Sequence, residues 1–260
     1  MTREPLSVFV TTLDNGATLA RCLESVAWAD EIVVLDSGST DDTREIAAAH
    51  RARWFVEPFK GYGPQKASAM AKTTHRWVLL LDADEALTPE SRTAIERALE
   101  APQIAGYTLP RREQLFWRLQ HASARHNPML RLFDKTRARF SEDRIHAAPV
   151  VDGPVVALPT PFVHYGEPDI ATKVAKINHY SSGMVEDKQA RGVPLLRTRM
   201  LLQPPWHFFR SYILKRKFLA GWAGLIGCTI DAFYVFLKYA KVYEARQSNQ
   251  GGVEKKSPDE

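Results

Sequence analysis

Residues 77–85 read WVLLLDADE, a compact apolar run that is closed abruptly by an acidic turn. A short apolar run bounded by turn residues is typical of a strand buried on both faces of a parallel sheet. Because side chains alternate along an extended segment, Asp82 and Asp84 would lie on the same side. Such a pair of carboxylates suits a hard divalent cation that also holds diphosphate oxygens. The stretch therefore predicts a buried strand with a candidate metal site at its end, although D-x-D alone is a weak signal.

The segments on either side repeat this pattern of strand, polar turn and helix. Apolar runs predict strands at Ser7–Thr12, Glu31–Leu35, Arg53–Val56 and Trp77–Leu81, and helical spacing predicts helices at Ala17–Val26, Asp42–His50, Pro64–Thr73 and Pro89–Leu99. Strands that alternate with short helices form a parallel sheet covered by helices on both faces. We therefore expect an α/β fold with a mostly parallel sheet.

Acidic residues follow the carboxyl ends of the predicted strands. Asp14 follows the first strand and Asp36 the second. In parallel sheets the carboxyl ends share one edge, where ligands bind, so these acids would meet Asp82 and Asp84 at a common rim. The alternative is that each Asp only supplies turn and cap chemistry.

The composition describes a chain that can form one or two sizeable cores. Of its 260 residues, 45% are hydrophobic and 25% charged, which excludes an intrinsically disordered chain, a collagen-like repeat and a disulfide-stapled small protein. Cys22 and Cys228 lie far apart and lack metal-ligand spacing, which favours a reducing compartment. No basic segment followed by an apolar run precedes the first strand, so we expect no secretory signal and a cytosolic protein.

Charge is distributed unevenly along the chain. Residues 1–170 contain 20 Lys or Arg and 23 Asp or Glu, whereas residues 171–260 contain 15 and 7. The basic second part predicts an anionic neighbour, either nucleic acid or the anionic inner face of a membrane, and composition alone does not separate the two. Because the chain contains no nucleic-acid recognition motif, we expect no nucleic-acid partner.

The sequence beyond residue 170 has a helical pattern. We predict helices at Ile170–Gln189 and Leu195–Leu202, a break at Pro204-Pro205, and an aromatic-rich segment over Trp206–Tyr243. Its most apolar stretch, Leu219–Phe236, is 18 residues long, which is shorter than the ~20 residues needed to cross a bilayer.

This apolar stretch also contains Asp231. An acid at the centre of a spanning helix costs about 2.5–3.5 kcal/mol on insertion scales. We therefore expect amphipathic helices in the membrane interface, with aromatic side chains at headgroup depth and Lys and Arg towards anionic lipid. The alternative is a helical subdomain packed on the preceding domain. Residues 247–260 are polar and rich in Gly, Ser and Lys, which predicts a disordered tail.

Three segments resemble, in their order and spacing, the N-terminal half of a family 2 glycosyltransferase with the GT-A fold: SVFVTTLDNGATLARCLESVAWADEIVVLDSGSTDDT, GYGPQKASAM and WVLLLDADEALTPE. The similarity is greatest to the branch that includes lipopolysaccharide-core β-1,4-glucosyltransferases. It continues through MLRLFDK, RIHAAPVVDGPV, FVHYG and FLAGWAGL…FYVFLKYAK, and so covers most of the chain. The resemblance implies a nucleotide-sugar-binding half over residues 1–110, an acceptor-binding half over 111–170 and a helical, interfacial region over 171–246.

The resemblance also implies roles for the acids at the rim. Asp36 would hydrogen-bond the nucleotide base, since a carboxylate can accept from the N–H of uracil. Asp82 would contact the ribose or a metal-bound water. Asp84 would coordinate Mg²⁺ or Mn²⁺ directly beside the diphosphate.

Further residues near the first two strands would line the nucleotide pocket. The resemblance assigns Thr12, Asp14 and Ser39 to nucleotide-sugar binding. The family's usual N-E-E after the first strand reads Asp14-Asn15-Gly16 here, so the amide and acid positions are exchanged.

Two basic residues are candidates for phosphate contacts. Lys66 would place a cation near the diphosphate, or it is a solvated helix lysine. Arg131, in MLRLF, would contact phosphate or acceptor, or it forms a structural ion pair.

The implied reaction is an inverting sugar transfer, in which a carboxylate removes the proton of the attacking acceptor hydroxyl and a metal stabilises the departing nucleoside diphosphate. Relatives in this branch have a His-Glu pair where this chain reads His146-Ala147, and alanine cannot accept a proton. We favour Asp143 as the base, with Glu142 as the other nearby acid. His146 would position the acceptor or be structural. The remaining explanations are that the glutamate is not essential, or that turnover is weak.

The resemblance favours UDP-glucose as the donor and a membrane-associated glycolipid, such as the lipopolysaccharide inner core, as the acceptor. The protein would then be cytoplasmic and peripheral on the inner face of the cytoplasmic membrane. Two alternatives remain. One is sugar transfer to a polyprenyl phosphate, against which the shortage of spanning helices argues. The other is a nucleotide-sugar-binding protein with weak or lost turnover.

Overall fold

The computed structural model describes residues 3–141 and 148–251, with side chains through residue 248. Contacts within the chain divide it into two units. Among the described residues, the first unit comprises 3–113, 126–141 and 148–166, and the second comprises 114–125 and 167–251. The domain boundaries drawn from the sequence stay a prediction.

The first unit is built around a large sheet. The strands, in chain order, are β1 (Leu6–Thr12), β2 (Glu31–Asp36), β3 (Arg53–Val56), β4 (Trp77–Asp82), β5 (Glu85–Leu87), β6 (Gly106–Leu115), β7 (Arg118–Leu119, in the second unit), β8 (Asn127–Asp134), β9 (Ala138–Phe140), β10 (Pro149–Val151), β11 (Val155–Ala157) and β12 (Phe162–His164). The helices are α1 (Gly16–Ser25), α2 (Thr43–Ala49), α3 (Tyr62–Ala71) and α4 (Pro89–Ala98). Each predicted strand and helix of this half is present, with ends shifted by a residue or two.

The strand order of the main sheet is β3-β2-β1-β4-β8-β6-β12-β5. The first four strands in this order run parallel. β8 runs antiparallel to both of its neighbours, β4 and β6, and β12 runs parallel to β6 and antiparallel to β5. The predicted α/β fold with a mostly parallel first half is therefore confirmed, and the later strands extend it into a mixed sheet.

The central strands bury both faces. Val8 of β1 packs in a cluster with Leu23 of α1, whereas the next residue, Phe9, packs in a second cluster with Ala69 of α3. Fully burying a side chain such as Val, Leu or Phe stabilises the fold by about 1.5–3 kcal/mol. Because helices cover both faces, the apolar runs are continuous rather than alternating.

The second unit is mainly helical. Its helices are α5 (Ile170–Gly183), α6 (Val185–Arg191), α7 (Leu196–Phe209), a π-helical segment (Arg210–Leu214), a 3₁₀ turn (Lys217–Ala220) and α8 (Gly221–Gly251). The end of β6 and β7 form a hairpin in this unit. α8 continues into the segment predicted to be disordered, of which residues 252–260 lie outside the described residues.

Two helix boundaries in this unit differ from the prediction. The break at Pro204-Pro205 is wrong, because α7 continues through both prolines to Phe209. A proline removes one intrahelical hydrogen bond, and a helix can absorb that loss with a kink. Leu201, four residues before Pro205, is 66% exposed, so this part of the helix is open to water. The predicted single helix Ile170–Gln189 is instead two helices, α5 and α6.

Among the described residues, α8 with the turn before it is the one helix long and apolar enough to cross a membrane. The helix is counted here from Lys217 to Ser248, and its most apolar window has a mean hydropathy of 1.5 and is 33% buried. The core helix of a soluble protein can have the same length and composition, so these two properties are weak evidence for a membrane span.

The acid within α8 is neutralised by lysines of the same unit. The Asp231 carboxylate lies 2.8 Å from Lys173 Nζ and 3.3 Å from Lys217 Nζ. Lys173 also contacts Glu167 at 2.7 Å and is 3% exposed. Burial opposes ionisation of Asp231, but the two lysines hold the pKa of its carboxyl below the usual range. These ion pairs join α5, α8 and the turn before α8.

Candidate active site

The acids at the strand ends meet at one edge of the sheet. The register pairs Thr12 of β1 with Asp36 of β2, and Thr11 of β1 with Asp82 of β4. The carboxyl ends of these three strands are therefore level, and Asp84 follows two residues after the end of β4. This edge is the rim at which ligands bind in parallel α/β sheets.

Asp36 holds the loop that follows β2. Its carboxylate accepts hydrogen bonds from the backbone N–H groups of Gly38 (2.9 Å) and Ser39 (2.8 Å) and from the Ser39 hydroxyl (2.5 Å). Asp36 is buried. The carboxylate thus fixes the loop at the rim.

Asp14 connects the loop after β1 to the loop after β2. Its backbone has a φ of 51°, in the left-handed region, which Asp tolerates better than most residues. Its N–H donates to Ser39 Oγ at 2.8 Å, and its Oδ1 accepts from the Thr40 N–H at 2.8 Å. Asp14 and Ser39 therefore tie the two loops together.

Thr12 has an unsatisfied hydroxyl at the end of β1. The residue is 4% exposed, and among the described residues its Oγ1 has no hydrogen-bond partner. A buried hydroxyl is normally hydrogen-bonded, so Thr12 has an unused hydrogen-bonding group at the end of β1.

Lys66 points from α3 to the end of β4. Its Nζ lies 2.6 Å from Asp82 Oδ1, and the Lys66 side chain is 12% exposed. Lys66 is therefore not the solvated helix lysine that the sequence left as an alternative. The ion pair with Asp82 holds the positively charged ammonium group of Lys66 at the rim.

Arg131 lies beneath the rim in a buried ion pair. The side chains of Arg131 and Glu85 are 3% and 0% exposed, and the guanidinium contacts Glu85 at 2.5 Å and Asp82 at 3.4 Å. Burial raises the pKa of Glu85 to about 7, against the opposing charge of Arg131. Burial also opposes ionisation of Asp82, but Lys66 and Arg131 hold its pKa well below the usual range. Of the two roles considered for Arg131, this geometry corresponds to the structural ion pair.

A histidine absent from the sequence-based site lies next to Asp84. His164 Nε2 is 3.2 Å from Asp84 Oδ2, and His164 Nδ1 is 2.6 Å from Glu113 Oε2. Burial opposes the charged imidazolium, but the two carboxylates outweigh it and raise the pKa of His164 to about 10. Sequence reasoning missed His164 and Glu113, although His164 stands in the FVHYG segment that carried the resemblance.

Space beside Asp84 and His164 is kept open by a glycine. A Cβ at Gly166 would lie 2.5 Å from His164 Cε1 and 3.1 Å from Asp84 Oδ2. A side chain at this position would displace the His164 imidazole and crowd the Asp84 carboxylate.

Asp84 and His164 could supply some of the ligands of a divalent cation, but not a complete set. No group of three or more His, Cys, Asp or Glu side chains is arranged as a metal site in the described ranges 3–141 and 148–251. Asp84 offers an oxygen donor, and the facing Nε2 of His164 would become a nitrogen donor where a cation takes the place of its proton. A cation held by few protein groups commonly completes its shell with substrate phosphates and water, so two donors are compatible with such a site.

The predicted catalytic group cannot be placed. Asp143, Glu142 and His146 lie outside the described residues. Their assignment stays a prediction.

The family follows from comparison with known proteins. Residues 7–149, more than half of the chain, match the family described as glycosyl transferase family 2. The chain belongs to glycosyl transferase family 2. It is therefore a glycosyltransferase, as the resemblance predicted.

Similar proteins match nearly the whole chain. An uncharacterized glycosyltransferase of Rickettsia felis is 32% identical over 93% of this chain and 90% of its own length. The lipopolysaccharide core biosynthesis glycosyltransferase LpsC of Rhizobium meliloti is 29% identical over 92% of both chains.

A solved mannosyltransferase structure shares the fold. The mannosyltransferase PcManGT of Pyrobaculum calidifontis, solved in complex with GDP-Man and Mn²⁺, is 14% identical, with a TM-score of 0.52 over 94% of this chain and 88% of its own. At this identity the likeness concerns the fold alone.

Proposed function

We propose that this family 2 member is an inverting, metal-dependent glycosyltransferase that moves a hexose, most simply glucose, from a UDP-sugar to a membrane-associated glycolipid such as the lipopolysaccharide inner core. The observation that carries the donor half of the proposal is the rim, where Lys66 contacts Asp82 at the end of β4 and Asp84 faces His164. The acceptor half rests on the similarity to LpsC over most of the chain.

Asp84 and His164 would hold the cation. Glu113, bonded to the far nitrogen of His164, would orient the imidazole, as carboxylates do behind metal-bound histidines. A nitrogen donor suits Mn²⁺ better than Mg²⁺, which prefers oxygen. When bound, the cation would stabilise the negative charge that develops on the departing UDP.

The remaining rim residues would hold the nucleotide. Lys66, fixed by Asp82, would place its charge near the diphosphate without reorganising during the reaction. The Asp82 side chain is 32% exposed and would accept from a ribose hydroxyl. Thr12 and the loop that Asp14, Asp36 and Ser39 hold in place would bind the uracil.

Titration calorimetry and product release test this proposal. UDP should bind with measurable heat in the presence of Mn²⁺, and UDP should be released from UDP-glucose on adding an inner-core glycolipid. Lack of UDP binding at saturating Mn²⁺ would refute the proposal. Binding without UDP release from any UDP-hexose, with either this acceptor or a polyprenyl phosphate, would instead favour a nucleotide-sugar-binding protein without turnover.

Glu113→Gln should weaken Mn²⁺ binding in the presence of UDP by about 10–100-fold, because an amide orients the imidazole less strongly than a carboxylate. Calorimetry with Mn²⁺ as the titrant measures this. UDP binding without metal should stay unchanged, and an unaltered Mn²⁺ affinity would contradict the role of Glu113.

Asp143 would remove the proton of the acceptor hydroxyl as it attacks the anomeric carbon. Asp143→Asn should therefore lower kcat by about 10²-fold or more, the scale of general-base assistance. UDP and Mn²⁺ affinity should not change, since the base acts on the acceptor. An unchanged kcat would leave Glu142 as the next acid to replace.

A further inference from the structure

An exposed tryptophan stands at the tip of the β6–β7 hairpin in the second unit. Leu115 pairs with Arg118, so Phe116 and Trp117 form a two-residue turn. Phe116 has a φ of 56° and is 1% exposed, and it packs in a cluster with Ala220 and Ala223. Burial of Phe116 fixes the turn, and the turn presents Trp117, which is 67% exposed.

A second exposed tryptophan lies beside this turn. Trp222, in the first turn of α8, is 75% exposed, and Phe218 in the preceding 3₁₀ turn is 42% exposed. Arg118 Nη1 would lie only 3.8 Å from a Cβ on Gly221, and Phe116 packs on the same helical turns. The hairpin tip and the start of α8 are therefore adjacent.

The surroundings of these aromatic residues are basic. The segments 114–125 and 210–222 contain no Asp or Glu. Arg118 and Arg216 are exposed, and the N–H of Arg125 donates to the Lys215 carbonyl at 3.1 Å, which brings the two segments together. We call Trp117, Phe218 and Trp222, with Arg118 and Arg216, the tryptophan surface.

We propose that the tryptophan surface docks on an anionic lipid bilayer. Tryptophan is favoured at headgroup depth, where its ring is apolar and its N–H meets water. Arginine beside it attracts anionic headgroups, and neither segment contains an acid. Glu167, whose carbonyl accepts from the Phe116 N–H at 3.1 Å, has its carboxylate paired with Lys173. Two tryptophans carried on fixed turns need little ordering on contact, unlike flexible loops.

Docking would confine the enzyme to the membrane surface where a glycolipid acceptor is displayed. This purpose of docking rests on the proposed function. The binding itself does not require turnover. Its failure and the failure of the proposed function can therefore be told apart.

Vesicle cosedimentation of the full chain tests the docking. Wild-type protein should bind vesicles of phosphatidylcholine with phosphatidylglycerol at low salt, bind pure phosphatidylcholine less, and be released by high salt. Trp117→Ser/Trp222→Ser should weaken binding at least about tenfold, since each buried ring contributes to interfacial affinity. Arg216→Glu should weaken binding to the anionic vesicles alone. UDP release with a detergent-dispersed acceptor should stay at the wild-type level in both variants.

Phe233→Ser is the matched control, because Phe233 is an exposed aromatic of α8 (49%) about three helical turns after Trp222. It should bind vesicles as the wild type does. Equal loss in this variant would overturn the proposal in favour of contact along α8. Absence of wild-type binding would also overturn the proposal and would point to a protein partner for this surface. Equal binding to neutral and anionic vesicles would overturn it too, because lipid charge would then play no part.

Discussion

Asp84→Asn is expected to lower kcat/KM by about 10³-fold and to abolish the Mn²⁺ dependence of UDP binding. Asp84 is the acid that faces His164 in the space kept open by Gly166. Charge stabilisation of a leaving group by a bound cation is worth several kcal/mol, and each ~1.4 kcal/mol corresponds to tenfold in rate. The amide retains the size of the carboxylate but not its charge. The loss should therefore concern the metal rather than the fold.

Initial rates of UDP release and calorimetry with UDP and Mn²⁺ measure both effects. Asp152→Asn is the matched control, since Asp152 is an exposed acid (77%) that pairs with Arg139. It should behave as the wild type does. Activity of Asp84→Asn within a few-fold of wild type, with Mn²⁺-dependent UDP binding intact, would remove Asp84 from the metal site.

Arg131→Met is expected to lower the free energy of unfolding by about 3–5 kcal/mol, because it leaves buried acids without their cation. Arg131 contacts both Glu85 and Asp82, and Glu85 is fully buried. With Arg131 removed, Asp82 keeps its contact with Lys66, whereas Glu85 keeps a hydrogen bond from the Asp82 N–H (3.0 Å) but loses its cation. Methionine preserves much of the volume, so the effect reports charge rather than a cavity.

Urea denaturation measures this loss. Arg139→Met, which breaks an ion pair whose partners are 65% and 77% exposed, should change stability by no more than about 1 kcal/mol. Adding Glu85→Gln to Arg131→Met should recover part of the stability at a pH well above 7, where folding otherwise has to bury the ionised carboxylate of Glu85 without its cation. If Arg131→Met lowers the free energy of unfolding no more than Arg139→Met does, the buried contacts of Arg131 with Glu85 and Asp82 contribute little to stability.

The first half of the fold could be predicted because its signals are local. An apolar run such as Leu79–Leu81, closed by Asp82, marks a buried strand from neighbouring residues alone. Alternation of strands with short helices then leaves few topologies. The prediction was wrong at Pro204-Pro205, where α7 continues despite an unfavourable local sequence. Next to these prolines, the Tyr239 hydroxyl of α8 donates a hydrogen bond to Gln203 Oε1 at 2.7 Å.

The candidate site divides in the same way. The sequence by itself placed Asp14, Asp36, Asp82 and Asp84 at one edge, because parallel strands of similar length end together. It did not determine which side chain each acid would meet. Only the tertiary structure decided that Asp84 faces His164 and that Arg131 neutralises Glu85, because β12 and β8 reach these acids through pairings between distant segments. These contacts depend on which distant strands pair in the folded sheet. The spacing of residues along the chain does not show those pairings.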